Sequence, residues 1–159
     1  MIPSEPEEPV SQFTTVDASY FDDALFLGDS HTDGFHDYAG LGNATYFTKN
    51  GLTVKDAMEK SFIELDGKKV TLAEALGTRQ FGKVYILLGI NEIGAYTAAD
   101  WAAQYKSLLD LVREKQPDAV IFIQSIFHTT QKKSDSSYFK NEVINERNAA
   151  IAQLADGKT

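Results

Sequence analysis

Four short apolar runs, Ala24–Leu27, Ala44–Thr48, Lys83–Leu88 and Ala119–Phe127, constrain this chain more than any other feature. Each is of strand length and stops at glycine or a polar residue, and Ala24–Leu27 reads as a strand buried on both faces. Helical patterns lie between them. From Thr97 to about Lys115, Trp101, Tyr105, Leu108 and Val112 fall at 3.6-residue spacing. Thr97–Asp100 resembles a capping box at the start, and Pro117 stops the chain from continuing as a helix. Glu142–Ala155 carries Val143, Arg147, Ile151 and Leu154 on one side. Shorter helices are expected over Thr32–Tyr38, Thr53–Lys60 and, for a turn or two, Thr71–Gly77. Within Ser61–Val70, Asp66-Gly67 can turn a small hairpin, and Lys132–Tyr138 reads as a polar loop. Strands alternating with helices predict an α/β fold with a parallel sheet, helices on both faces and right-handed crossovers.

At 159 residues and 43% hydrophobic content, the chain has the size and core of one domain. Met1 to about Ala18 stands apart. It holds three of the four prolines together with Glu5, Glu7 and Glu8, a composition that cannot bury enough surface to fold alone. It reads as a linker or a plain disordered tail ahead of a domain over 19–159. The net charge is −8 and no basic run occurs, which argues against a nucleic-acid partner. The absence of cysteine excludes disulfides, cysteine-ligated zinc and thiol catalysis. No apolar stretch reaches membrane-spanning length, so no membrane insertion is expected.

In an open parallel sheet, ligands bind beyond the carboxyl ends of the strands. Ser30, Gly51, Asn91 and His128 directly follow the four apolar runs, so they should meet on one rim. Gly28 signals a sharp turn after the first run. Ser30 would then sit at a helix N-terminus, where free backbone N–H groups favour negative charge. It is a nucleophile candidate or a helix cap, and Gly28-Asp29-Ser30 alone does not choose between them. The four residue types suit acyl transfer. Ser30 could attack a carbonyl carbon. The Ser30 and Gly51 backbone N–H groups and the Asn91 amide could donate to the resulting oxyanion. Taken singly, Gly51 is a turn residue and Asn91 a loop-closing side chain.

The ordered set Gly28-Asp29-Ser30, Gly51 and Gly89-Ile90-Asn91-Glu92 resembles the SGNH (GDSL) hydrolase family, over roughly residues 20 to 155. That family carries Gly-Asp-Ser, an oxyanion glycine and Gly-x-Asn-Asp; here Glu92 replaces the final Asp. The resemblance implies a three-layer, flavodoxin-like fold with strand order 2-1-3-4-5. It implies ester or acyl-group hydrolysis through a serine acyl-enzyme, with no cofactor and no metal. Asp29, Glu92 and His128 are the candidate substrate contacts, and small acyl esters, such as O-acetyl groups on carbohydrate or lipid, are the expected substrates. The family's fourth block, Asp-x-x-His after a fifth strand, supplies the general base and its orienting carboxylate. Here that spacing occurs only at Asp33-Gly-Phe-His36, inside the first helix, where the side chains should point away from Ser30. His31 neighbours Ser30, and adjacent helix residues do not face each other. His128 is a site-lining residue or a surrogate base.

The sequence therefore predicts order 2-1-3-4 without the fifth strand, and a chain cut short at its C-terminus. It also predicts a bare edge along Ala119–Phe127 that pairs with a second copy. The proline-rich acidic start favours an extracytoplasmic enzyme tethered to a bacterial surface. The competing functional reading is a non-catalytic carbohydrate- or ligand-binding module on the same fold.

Overall fold

The computed structural model describes residues 14–157 and residue 159; most of the N-terminal tail expected up to Ala18 lies outside the described residues. In chain order the elements are β1 (Ala24–Gly28), α1 (Ser30–Ala39), β2 (Thr45–Thr48), α2 (Val54–Glu59), β3 (Ile63–Leu65), β4 (Lys68–Val70), α3 (Leu72–Leu76), β5 (Lys83–Leu87), α4 (Ala98–Lys115), β6 (Val120–Ile123), α5 (Gln131–Ser136) and α6 (Asn141–Ala152). The main sheet is parallel throughout, in the order β2-β1-β5-β6. Leaving out the small hairpin, this is the 2-1-3-4 order expected from the sequence. The hairpin β3–β4 is antiparallel and turns at Asp66 and Gly67, whose φ angles of 50° and 75° match a two-residue turn.

Alternation along the strands separates two faces. Leu25, Leu27, Val84, Ile86 and Ile121 point to one side, where α2, α3, α4 and α6 pack together. Trp101, Tyr105, Leu108 and Val112 of α4 are fully buried there, as their spacing predicted. Each such side chain removed from water contributes about 1.5–3 kcal/mol. On the opposite face, α1 lies over β1 and β2. An aromatic ladder crosses the whole sheet there: Tyr46, Phe26, Tyr85 and Phe122 stack ring on ring, with centroids 5.2, 4.8 and 4.6 Å apart. These are the register partners of the four strands.

Three expectations need correction. Gly28 does not turn the chain. It is the last paired residue of β1, matched to Thr48 on one side and Leu87 on the other. A Cβ there would overlap the Thr32 side chain and lie 2.8 Å from the Leu87 carbonyl oxygen, so close packing is what demands glycine. The fourth strand is shorter than Ala119–Phe127. After one more ladder bond from Gln124 N–H to the Ile86 carbonyl, the backbone turns to side chains of α6: the Ile126 N–H donates to Asn148 and the Thr129 N–H to Asn141. The loop expected at Lys132–Tyr138 is largely α5, whose first turn is capped by the Thr130 hydroxyl accepting from the Lys133 N–H.

Among the described residues, β6 has no strand on its outer side. Val120 and Phe122 are partly exposed on the ladder face. On the other face a groove of about 210 Å³ runs along the edge, lined by residues that include Ile121, Ile123, Asn148 and Ile151. Such an edge templates pairing with another chain. Light scattering behind size exclusion should show concentration-dependent association that Val120→Lys suppresses; a monodisperse monomer at high concentration would refute edge pairing. Gly28→Ala should lower stability by about 1–3 kcal/mol in urea unfolding, the usual cost of overpacking.

Candidate active site

The carboxyl ends of β1, β2 and β5 deliver Ser30, Gly51 and Asn91 to one rim of the sheet. Ser30 is the first residue of α1 and is exposed. It sits where the first-turn backbone N–H groups of a helix have no intrahelical partner. Asp29 is the N-cap, and its Oδ1 accepts from the His31 N–H at 2.9 Å. Gly51 lies in the loop between β2 and α2 with φ of 73°, in the left-handed region. Nothing lies within 4 Å of where its Cβ would be. The backbone dihedral, rather than close approach of a neighbour, is therefore what calls for glycine there. Asn91 occupies a single 3-10 turn, Ile90–Glu92, directly beyond β5.

Asn91 connects the three segments. Its Nδ2 donates to Asp29 Oδ2 at 3.1 Å and to the Leu52 carbonyl at 3.2 Å. The amide is thereby held beside both the Ser30 turn and the Gly51 loop. Both its donors are also engaged, so donation to a substrate oxyanion requires one of these bonds to be shared or exchanged.

Asp29 and Glu92, the expected substrate contacts, are both buried side chains. Asp29 is 1% exposed and Glu92 3% exposed. Both lie beneath the rim with their carboxylates occupied by protein donors. Asp29 holds Asn91 and His31, whose ring Nδ1 is 3.1 Å from Asp29 Oδ1. Glu92 Oε1 accepts from the Val54 N–H at 3.1 Å, and Oε2 from the Trp101 indole N–H at 3.0 Å. Burial pushes the Glu92 carboxyl above the usual carboxylate range; these two hydrogen bonds and the nearby Arg147 charge oppose that shift.

His128 is exposed, and its Nε2 lies 2.6 Å from Asn145 Oδ1 on α6. Asp33 and His36 face β2: the Thr48 hydroxyl donates to Asp33 at 2.8 Å, and the His36 ring stacks on Tyr46 at 4.2 Å. Next to the start of α1 lies a small cleft of about 90 Å³, lined by Phe26, Thr32, Phe35, Leu87, Gln124, Phe127 and His31. The exposed Phe127 ring stands edge-on to His31 at 6.1 Å.

Sequence reasoning missed Arg147. It is completely buried, and its Nη2 donates to the Glu92 carbonyl at 2.8 Å and the Tyr96 carbonyl at 3.1 Å. An arginine in the middle of an otherwise apolar helix side was the available signal, since a buried charge needs partners. Among the described residues, no cluster of three or more histidine, aspartate or glutamate side chains could hold a metal ion.

The fold has known counterparts. A protein provisionally named a platelet activating factor from Streptococcus pneumonia superimposes with a TM-score of 0.61 at 19% identity, over 87% of this chain and 67% of that one. A carbohydrate esterase of family 3 from Talaromyces cellulolyticus does so with a TM-score of 0.55 at 17% identity, over 85% and 74% of the two chains. A GDSL-like lipase from Bacteroides thetaiotaomicron gives a TM-score of 0.55 at 16% identity, over 83% and 62%. At these identities the likeness is one of fold. No curated protein matches the sequence. Residues 26–159, which span β1 to the end of the described chain and include Ser30, Gly51 and Asn91, match the model of the GDSL-like Lipase/Acylhydrolase family, and the chain belongs to that family.

Proposed function

We propose that this protein is a serine-dependent ester hydrolase acting on small acyl esters, such as the O-acetyl groups of a carbohydrate or lipid. Membership of a lipase and acylhydrolase family supports ester hydrolysis at the level of the family. The observation that carries the finer reading is the bonding of Asn91 Nδ2 to both Asp29 and Leu52, which gathers the Ser30 turn and the Gly51 loop around one amide.

In this reading the Ser30 hydroxyl oxygen attacks the ester carbonyl carbon, and its proton passes to a base. The carbonyl oxygen becomes negative and receives the Ser30 N–H, the Gly51 N–H and one Asn91 N–H, which leaves its internal acceptor. Collapse breaks the carbon–oxygen bond, and the alcohol departs with a proton. Water then attacks the acyl-serine, returning the hydroxyl and releasing the acid. The cleft of about 90 Å³ lined by His31 and Thr32, the two residues after Ser30, is in keeping with a short acyl group, since drug-sized sites run to about 300 Å³ and more.

A second reading, a binding module on the same fold, draws on the histidines. His31 is paired with Asp29, His36 is stacked on Tyr46 and His128 is bonded to Asn145. Among the described residues, no hydrogen bond joins a histidine to the Ser30 hydroxyl. A fluorophosphonate probe separates the two readings. The enzyme should be labelled at Ser30, and Ser30→Ala should abolish labelling. No labelling of this chain, nor of one lengthened by an Asp-x-x-His segment, would favour the binding module. On the enzyme reading, Asn91→Ala should lower kcat by about 10² to 10³ with little change in KM, the typical cost of one lost oxyanion donor. A steady-state assay on 4-nitrophenyl acetate measures this.

A further inference from the structure

Beneath the rim, two hydrogen bonds run side by side between the turn after β5 and the loop after β2. Asn91 Nδ2 donates to the Leu52 carbonyl, and the Val54 N–H donates to Glu92 Oε1. Neighbouring residues of one segment thus grip nearly neighbouring residues of the other. The second carboxylate oxygen of Glu92 is taken by the Trp101 indole N–H, which ties the turn to α4. Trp101 also fills the space under Gly89, where φ is 125° and a Cβ would come within 2.5 Å of the ring. From α6, Arg147 lies 4.8 Å from the centre of the Trp101 ring and donates to the main-chain carbonyls of Glu92 and Tyr96. Its Nε and Nη1 have no hydrogen-bond partner among the described residues.

Stability alone is a poor reason for this arrangement. Taking charged groups out of water is costly, and apolar packing of similar volume is often as stable or more so. What the polar groups provide that apolar ones cannot is direction. They fix the turn at both its side-chain and main-chain atoms, and the turn carries the Asn91 amide.

We propose that Glu92 and Arg147 are positioning residues, a buried brace that sets the Asn91 amide and the Gly51 loop at a fixed separation. The catalytic side of the inference rests on the serine-hydrolase reading; the structural side does not. The brace does not touch substrate. It acts through Asn91, so its loss should matter only while Asn91 is present.

The test has an arm that needs no activity. In ¹⁵N spectra of the wild-type chain, the Val54 amide and the Asn91 side-chain NH₂ pair, assigned by its loss in Asn91→Ala, should both be protected from hydrogen exchange. Glu92→Gln keeps the side chain's size but turns one acceptor into a donor. It should speed exchange of the Asn91 pair about tenfold or more while the amides of β1 and β5 stay protected. Arg147→Met should do the same. If Val54 and the Asn91 pair exchange like exposed amides in the wild type, the brace does not form and the proposal falls, whether or not either variant folds. It falls equally if a folded Glu92→Gln leaves the Asn91 pair unchanged.

The second arm measures fluorophosphonate labelling of Ser30. Glu92→Gln should slow it about tenfold in the native background and have no further effect in Asn91→Ala, the non-additivity of two residues acting through one donor. Equal slowing in both backgrounds would make Glu92 a structural residue and overturn its positioning role. If neither the wild-type chain nor one lengthened by an Asp-x-x-His segment is ever labelled, yet the Asn91 pair is protected and loses protection in Glu92→Gln, the hydrolase reading is defeated and the brace stands.

Discussion

A carboxylate taken out of water must be given donors, and at the rim of this sheet Asp29 draws them from its own helix start and from Asn91, 62 residues further along the chain. One oxygen caps the helix that begins with Ser30; the other holds the amide of Asn91. An unmet acceptor at this depth would cost several kcal/mol, so the two segments are held together by a penalty as much as by an attraction. The rim takes its geometry from that constraint. If Asp29 moved, the helix start and the turn after β5 would both lose their anchor.

The sheet supplies the rest of the precision. Parallel strands all end on the same side, so four connections emerge together without special design. Their spacing is set by main-chain ladders and by a core of interdigitating aliphatic side chains under α4. A candidate site built on strand ends inherits that rigidity. The polar groups beneath the rim convert the rigidity of the strands into fixed positions for the loops.

Much of this was legible in the sequence, and for identifiable reasons. The four strands stood out as short apolar runs, of which only Ala24–Gly28 is buried at every residue. Trp101, Tyr105, Leu108 and Val112 could be read as core because a helix with one dry side must repeat its apolar residues at its own period. Asp66-Gly67 could be read as a turn because few dipeptides tolerate two positive φ angles. What escaped depended on partners distant in the chain. Ser125–Phe127 looks like more strand, yet its neighbourhood is bonded by asparagine side chains of α6, and nothing local announces that. The helix α5 escaped because Gln131–Ser136 has no apolar rhythm, only a threonine cap. Asp29 and Glu92 stand beside Ser30 and Asn91 in the sequence, which is all the sequence says of their role. That both are buried and spoken for appears only once the segments that satisfy them are brought together in space.

The row of rings across the sheet has a consequence for its open side. Tyr46, Phe26, Tyr85 and Phe122 are aligned because neighbouring strands are in step, and among the described residues the last ring has no ring companion on its outer side. Any polypeptide that comes to lie along that border, whatever its origin, meets a template with a phase as well as free amides and carbonyls. A guest offering a flat apolar group opposite Phe122 would lock into step. One displaced by a single position would turn its opposite face to the ring and lose the contact.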